Sequence, residues 1–281
     1  MNGLFIVGTP IGNLHDITLR ALVTLESVGL ILTEDTRTTR KLLSAYELKT
    51  KLLSYTEQNH RHRLPRIMKA LDTMDVALVS EAGMPRLSDP GAELVIEVIS
   101  AGASLDTIPG PSDITTADPH ASFPINEFTY LGFLPKNKAK RIHTLSTIKH
   151  QERPTLIFES PHRLQKTLET LIEVLGNRAV TICRELTKLH EEVFHGSLSD
   201  AIDKFAEPRG EFTLIVDASE FPNPTMNETE AFLEINRLSS IGFSPSQAIA
   251  QTVQNTTLSR RELYKKWLSK FRDSAVDDPA N

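Results

Sequence analysis

The sequence predicts two α/β domains in series followed by a small helical extension, and three observations carry that prediction. Short apolar runs alternate with amphipathic stretches through residues 1–118. The alternation stops at the proline-bearing segment DPHASFPINE (118–127) and starts again beyond it. From residue 221 onward, helical patterns continue without strands between them. The expected domains are therefore 1–118 and 119–220, with an extension over 221–281. Strands alternating with helices predict a largely parallel sheet covered on both faces.

Residues 4–8, 29–33, 76–80 and 104–108 are apolar runs bounded by glycine, proline or charge, as buried strands are. Between them, 18–28 and 60–74 carry apolar residues at helical spacing. In the second series, 128–134, 155–158, 179–184 and 212–217 read as strands. The helix expected over 161–175 aligns Leu164, Leu168, Leu171, Ile172 and Leu175 on one face. Gly176 then stands where a left-handed C-terminal cap belongs. FPNPTMNETE (221–230) reads as a linker. GFSPS (242–246) separates two helical patterns, with Ser244 suited to an N-cap and Pro245 to the first helical position. The tail DSAVDDPAN (273–281) is expected to be disordered.

Composition narrows the function classes. A chain of 281 residues accommodates two packed cores and a small appendage. The net charge of −5 argues against a protein that coats nucleic acid non-specifically, while leaving room for a local basic patch. Cys183 is the only cysteine, which excludes an intramolecular disulfide and argues against a cysteine-rich zinc site. MNGLFIVGTPIGN (1–13) has neither the basic flank nor the cleavage pattern of a signal peptide. No apolar stretch approaches the ~20 residues that span a bilayer. A cytoplasmic protein without a membrane partner is expected.

Several segments carry residues suited to chemistry. VGTPIGN (7–13) is a glycine-bearing turn at a strand end, where open α/β sheets place ligands. It matches neither the dinucleotide nor the phosphate-loop fingerprint, and alone a structural turn accounts for it. SEAGMPRLSDPG (80–91) and IPGPSD (108–113) are glycine- and proline-rich loops that expose backbone groups to an approaching molecule. Three such loops on neighbouring strand ends suit a small cofactor; tight turns are the alternative. In EDTRTTRKLL (34–43), Arg37 shares a helix face with Arg40 and with Lys41, either a phosphate-facing patch or a solvated surface. YTEQNHRHRLPR (55–66) concentrates His60, Arg61, His62, Arg63 and Arg66, a contact suited to an RNA backbone. No cysteine lies near its histidines, so no metal is expected there. FESPHR (158–163) and CRELTKLHEE (183–192) pair acids with bases at strand ends. A carboxylate (Glu159 or Glu185) or a histidine (His162 or His190) of these motifs suits a general base, with internal ion pairs as the alternative. GEF (210–212) offers a glycine for close backbone approach.

Taken in order, TPIGNLHDITLRAL (9–22), EDTRTTRKLL, YTEQN, the SEAG–SDPG loop, PGPS, GFLP (132–135), SPHR, RELTKLHEE and GEF resemble the ribosomal RNA small subunit methyltransferase I family, of the tetrapyrrole-methylase fold. The resemblance covers about 4–217 and, more loosely, extends through LSRRELYKKWL (258–268). It implies S-adenosylmethionine held in a cleft between two α/β domains, usually in a homodimer. It also implies methylation of the ribose 2′-oxygen of a cytidine in small-subunit (16S) ribosomal RNA. By motif position the cofactor is expected at Pro10, Ala82, Gly83, Met84, Ser112, Asp113, Phe158, Leu186, Thr187, Gly210 and Phe212. Glu185 or Glu159 is expected to accept or orient the hydroxyl proton, while Lys188 and Arg37 hold adjacent phosphates. Arg37, Arg40, Lys41, Arg61 and Arg63 are the expected RNA contacts.

This chain departs from the family pattern at several positions. Met84 replaces a threonine, Asp113 a small apolar residue and Arg86 a glycine or small residue. DPHASFP replaces a small, Ser-Ala-rich stretch, and one aromatic residue is missing before ESPHR. A carboxylate at Asp113 pairs with the sulfonium or amino group of a cofactor, or opposes its carboxylate end. Two rivals remain: a methylase of a tetrapyrrole or other small acceptor, and an RNA-binding relative without catalysis. The basic segments favour RNA over a macrocycle, and cofactor binding separates the second rival. The negative net charge points to the assembled subunit rather than naked RNA as the form recognised.

Overall fold

The protein is described by a computed structural model covering residues 2–85, 91–218, 226–240, 242–253, 256 and 258–274. Its first α/β domain is built on a five-stranded sheet, β1 (Gly3–Val7), β2 (Leu30–Thr33), β3 (Leu52–Ser54), β4 (Val76–Val79) and β5 (Ser104–Ile108). The strand order is β3-β2-β4-β1-β5, and every pairing is parallel. Helices α1 (Leu19–Ser27) and α2 (Thr36–Ala45) cover one face. Helices α3 (His60–Leu71) and α4 (Ala92–Ser100) cover the other. All four residues of β4 are buried, as a central strand enclosed on both faces requires. Each fully buried Leu, Ile or Val contributes ~1.5–3 kcal/mol relative to exposure, so the two flanking clusters fix the register of this sheet.

A short α5 (Asp113–Ala117) and a single 3-10 turn (Asp118–His120) lead away from β5. Segment 121–125 is anchored by the Ser122 N–H, which donates to Thr181 Oγ1 (3.2 Å), and by Phe123 and Ile125 packing on the cluster around Ile11. The second domain comprises β6 (Thr129–Phe133), α6 (Lys138–Ser146), β7 (Thr155–Glu159), α7 (Pro161–Leu175), β8 (Ala179–Arg184), β9 (Glu192–Ser197), α8 (Leu198–Lys204) and β10 (Phe212–Val216). Its sheet runs β6-β7-β10-β8-β9, and only β6 and β7 are parallel. Gly176 closes α7 with φ 85° as the spacing predicts, its N–H donating to Ile172 O.

Three helices follow: α9 (Glu228–Ser240), α10 (Pro245–Thr252) and α11 (Arg260–Ser274). They share a core of Phe232, Ile235, Leu238, Ile249, Leu263 and Trp267. Ser244 and Gln247 form a reciprocal capping box with Pro245 in the first turn of α10. The expected linker extends too far, since Glu228–Glu230 already belong to α9; positions 221–225 lie outside the described residues. Likewise the expected disordered tail begins within α11, and 275–281 lie outside the described residues. Strands β3 and β9 have no counterpart in the sequence reading. The first is three residues long, and the second (EVFHGS) is a half-exposed sheet edge without alternation. No helix among the described residues is long and apolar enough to cross a membrane.

Candidate active site

The C-terminal ends of β4, β1 and β5 are neighbours in the parallel sheet, so the turns after them meet. Thr9 and Gly83 exchange backbone hydrogen bonds of 2.9 and 3.1 Å, tying turn 7–13 to loop 80–85. A Cβ on Gly8 would stand 2.6 Å from Met84 Sδ and 2.7 Å from Gly110 Cα, an approach only a residue without a side chain permits. The flexible thioether of Met84 therefore packs directly on the Gly8 backbone.

The second sheet presents its own strand ends to these loops. The register of β6 on β7 shifts between Tyr130 and Gly132. That bulge sets Phe133 opposite Phe158, with ring centroids 5.9 Å apart, edge to face. A buried cluster containing Ile11, Leu156, Cys183, Leu186 and Ile215 joins the two domains behind the rings. The Asn13 N–H donates across the same junction to Thr187 Oγ1 (3.0 Å).

Between the two sets of loops lies a cavity of about 270 Å³. Of the expected cofactor residues, Ala82, Gly83, Met84, Ser112, Asp113, Phe158 and Phe212 line it, together with Glu159. Pro10, Leu186, Thr187 and Gly210 do not line it, nor do Glu185 and Lys188, which bond to the lining residue Glu211; Pro10 and Leu186 are buried and the other four half-buried. Sequence reasoning missed Glu34, Glu81, Phe133, Ser160, Glu211 and Thr213, which line the cavity as well. Glu34, Glu81, Phe133, Ser160 and Glu211 fall inside motifs already singled out, so the motif, not the residue, carried the signal. Glu34 and Glu81 also line a neighbouring hollow of about 680 Å³, together with Tyr55, Gln58 and His60. Arg86, one of the departures from the family pattern, lies outside the described residues.

The carboxylates of the site occupy different environments. Glu159 is 1% exposed. One of its oxygens accepts from the Ser160 N–H (2.8 Å) and the other from the Thr167 hydroxyl (2.6 Å), with Arg163 at 3.4 Å. Arg163 in turn donates to Leu134 O (2.6 Å), so Glu159 braces the β6 and β7 ends. Glu185 Oε1 accepts from Lys188 Nζ (2.9 Å) and from the Glu211 N–H (2.9 Å). Burial pushes the Glu185 carboxyl up, but the hydrogen bonds from Lys188 and Glu211 outweigh it and leave it below the usual carboxylate range. Burial pushes the Lys188 ammonium down, yet its bonds to Glu211 and Glu185 hold it above the ordinary lysine value. Burial, and next the charge of Glu211, raise the Asp113 carboxyl.

The basic residues stand outside this cavity. Arg37 pairs with Asp35, the N-cap of α2 (Nη2–Oδ2 2.8 Å), and holds that carboxyl down at about 2. Arg40 and Lys41 are exposed on α2, and Arg61 is exposed and Arg63 half-buried in the first turn of α3. That turn contains no acid, so its cations face the positive end of the helix dipole uncompensated. No group of three His, Cys, Asp or Glu among the described residues is placed to hold a metal ion.

Comparison with known proteins agrees with this architecture. The model of the Tetrapyrrole (Corrin/Porphyrin) Methylases matches residues 3–202. A protein of Thermotoga maritima named ribosomal RNA small subunit methyltransferase I is 48% identical over 223 residues, 78% of this chain and 100% of that protein. A protein of the same name from Halalkalibacterium halodurans is 40% identical over 268 residues, 93% of each chain. In fold, the chain is similar to the uroporphyrin-III C-methyl transferase of Thermus thermophilus solved with S-adenyl homocysteine. There the TM-score is 0.58 at 15% identity, over 77% of this chain and 97% of that one. With its loops arranged as described and nearly half of the 223 aligned residues identical in the Thermotoga protein, this chain belongs to the ribosomal RNA small subunit methyltransferase I family.

Proposed function

We propose that this protein transfers a methyl group from S-adenosylmethionine to the ribose 2′-hydroxyl of a cytidine in small-subunit ribosomal RNA. The observation that carries this reading is the convergence of Ala82–Met84, Ser112–Asp113, Phe158 and Phe212, from both domains, on one cavity. The residues present fit the cofactor. Met84, Phe133, Phe158 and Phe212 offer apolar surface, and Glu34, Glu81 and Asp113 offer carboxylates to a cationic ligand. Bound there, S-adenosylmethionine supplies an electrophilic methyl group on a positively charged sulfur. The basic residues of α2 and of the first turn of α3 favour an RNA backbone over a small macrocycle as acceptor.

What the chain contributes is alignment and an apolar wall. The Phe133 and Phe158 rings give one side of the cavity an apolar surface on which a substrate can be positioned, and positioning can supply several kcal/mol of a barrier. A ribose hydroxyl is a poor nucleophile and must lose its proton. Glu185, held ionised by Lys188 and the Glu211 N–H, is a weak base and serves as an acceptor that orients the hydroxyl. Lys188 stays charged beside it and faces an RNA phosphate, with Arg37, Arg40, Lys41, Arg61 and Arg63 along the flanking backbone. Glu159, with both oxygens taken, positions the β7 end rather than moving a proton. The acting form is a homodimer working on the assembled subunit.

Transfer of labelled methyl to small ribosomal subunits, followed by digestion to nucleosides, tests this. The expected product is 2′-O-methylcytidine. A different methylated nucleoside would change the acceptor assigned, and absence of both transfer and cofactor binding would overturn the enzymatic reading.

A further inference from the structure

We propose that Arg40, Lys49, Lys51 and Arg66 form a phosphodiester-binding pocket at the outer edge of the first sheet, a grip on RNA separate from the methyl-transfer cleft. The inference rests on RNA being the acceptor and adds a site remote from the reacting atoms. The four side chains come from three elements. Arg40 projects from α2, Lys49 and Lys51 from the loop after it, and Arg66 from α3. They surround one hollow of about 520 Å³ whose lining includes no acid.

Convergence on one concavity without an acid separates this group from scattered surface charge. The chain has 36 acids against 31 lysines and arginines, and Lys138, Lys204 and Lys266 are among the cations that take a carboxylate partner. None of the four has an ion pair or a side-chain hydrogen bond within the protein among the described residues. Lys49 and Lys51 also line a neighbouring hollow together with Glu26 and Glu47, but form no ion pair with either acid. Four uncompensated cations around one concavity repel one another, and an anion with several oxygens relieves that repulsion. Leu43 and Leu48 line the hollow too, apolar surface against which long basic stems lie.

Location then selects a polymer over a small anion. In a parallel sheet the methyl-transfer cleft follows the last residues of the strands. This hollow instead borders Leu30 and Lys51–Leu52, at the first residues of β2 and β3. The three steps from the first to the last residue of β2 alone separate those two ends by about 10 Å, at ~3.3 Å per residue. A hollow at the opposite strand ends is separate from whatever occupies the cleft, and the backbone flanking a target nucleotide in folded RNA is long enough to engage both. Strand β3 is the sheet edge, so α2 and α3 are all that flanks the groove.

The test is the full-length triple variant K49Q/K51Q/R66Q, compared with the wild type for binding and methylation of small ribosomal subunits. At moderate salt the KM for subunits should rise by ~10-fold or more. The slope of log Kobs against log salt should shrink by ~2, at ~0.7–0.9 for each phosphate no longer neutralised. S-adenosylmethionine affinity and the melting temperature should stay at wild-type values, since these side chains make no internal ion pairs or hydrogen bonds. The charge-preserving variant K49R/K51R/R66K should restore both KM and slope. If the wild type methylates subunits and the triple variant matches it in KM and salt slope, the pocket is refuted while the enzymatic reading stands. If the wild type neither binds nor methylates subunits, both readings fall together.

Discussion

Gly210→Ala isolates the contact on which the proposed chemistry depends. Gly210 has φ 82°, where an L side chain is strained. An added Cβ would also lie 2.5 Å from Glu185 Cγ, 2.6 Å from its Cδ and 2.7 Å from its Oε1. The backbone part costs ~1–2 kcal/mol. Glu185 must then shift by nearly an ångström, which breaks or stretches its 2.9 Å bonds to Lys188 and the Glu211 N–H. Hydrogen bonds to a charged group contribute ~1.5–3 kcal/mol when shielded, so two partly exposed ones add ~1–3 kcal/mol. The expected total is ~2–5 kcal/mol of stability by urea denaturation, with a single-turnover methylation rate reduced ~10–100-fold, as expected for a misplaced acceptor. The double variant G210A/E185A decides between the two parts. Without the Glu185 side chain the steric part disappears, and the cost of G210A should fall to the ~1–2 kcal/mol of backbone strain. An unchanged penalty in that background, or a wild-type rate in G210A, would refute the claim that Gly210 exists to seat Glu185.

Two further outcomes are expected. Glu159→Ala leaves the Ser160 N–H, the Thr167 hydroxyl and Arg163 around an empty, buried site and should cost ~3–5 kcal/mol in chemical denaturation. A loss below ~1 kcal/mol would show that Glu159 does not brace the β6 and β7 ends. Asp113 binds its proton more tightly in the folded protein than in the unfolded chain, because burial and Glu211 raise its carboxyl. The folded state then holds more protons as pH rises from the ordinary value of 3.8 to the raised native value, so stability falls across that window and the ionised residue destabilises above it. Asp113→Asn should melt higher than the wild type at pH 7, with the difference shrinking toward pH 4. It should also bind S-adenosylmethionine more weakly, if Asp113 takes the cationic end of that ligand. Tighter binding by the variant would place the carboxylate end there instead.

The parts of this structure that sequence made legible are those where one residue type answers one physical demand. All-buried β4 and the one-sided helix α7 follow from apolar spacing, and the α10 start follows from Ser-Pro chemistry. The three strand-end loops were legible because glycine and proline punctuate them. What escaped depends on long-range pairing. Strand β3 is too short to show a period, and β9 gains its place only by pairing with β8. Phe133 enters the cavity through a bulge in the β6–β7 register, a shift that no spacing within β6 announces. Glu211 was hidden for a different reason. Within GEF the glycine and the phenylalanine have conspicuous backbone and packing roles, whereas an exposed glutamate reads as surface until Lys188 is found 2.7 Å away.

The turn after β8 shows why the site holds its shape at all. Among described residues, Glu47, Glu185 and Thr187 are the non-glycine residues with positive φ, and two of the three lie in this one turn. Each such conformation costs ~1 kcal/mol or more and persists only where surrounding contacts over-determine it. Those contacts are present here. Glu185 is fixed by Lys188 and the Glu211 N–H, and the Thr187 N–H donates to Glu191 (2.7 Å) while its hydroxyl oxygen accepts from Asn13. Between the two strained residues, Leu186 inserts into the apolar cluster that joins the domains. Leu186 and Thr187 thereby tie this turn to the domain junction, while Glu185 and Lys188 are held by one another and by Glu211. The turn is thus held from both sides: the second domain supplies the bonds of Glu185 and of the Thr187 N–H, and the first adds Asn13 on Thr187 and Ile11 in the cluster around Leu186.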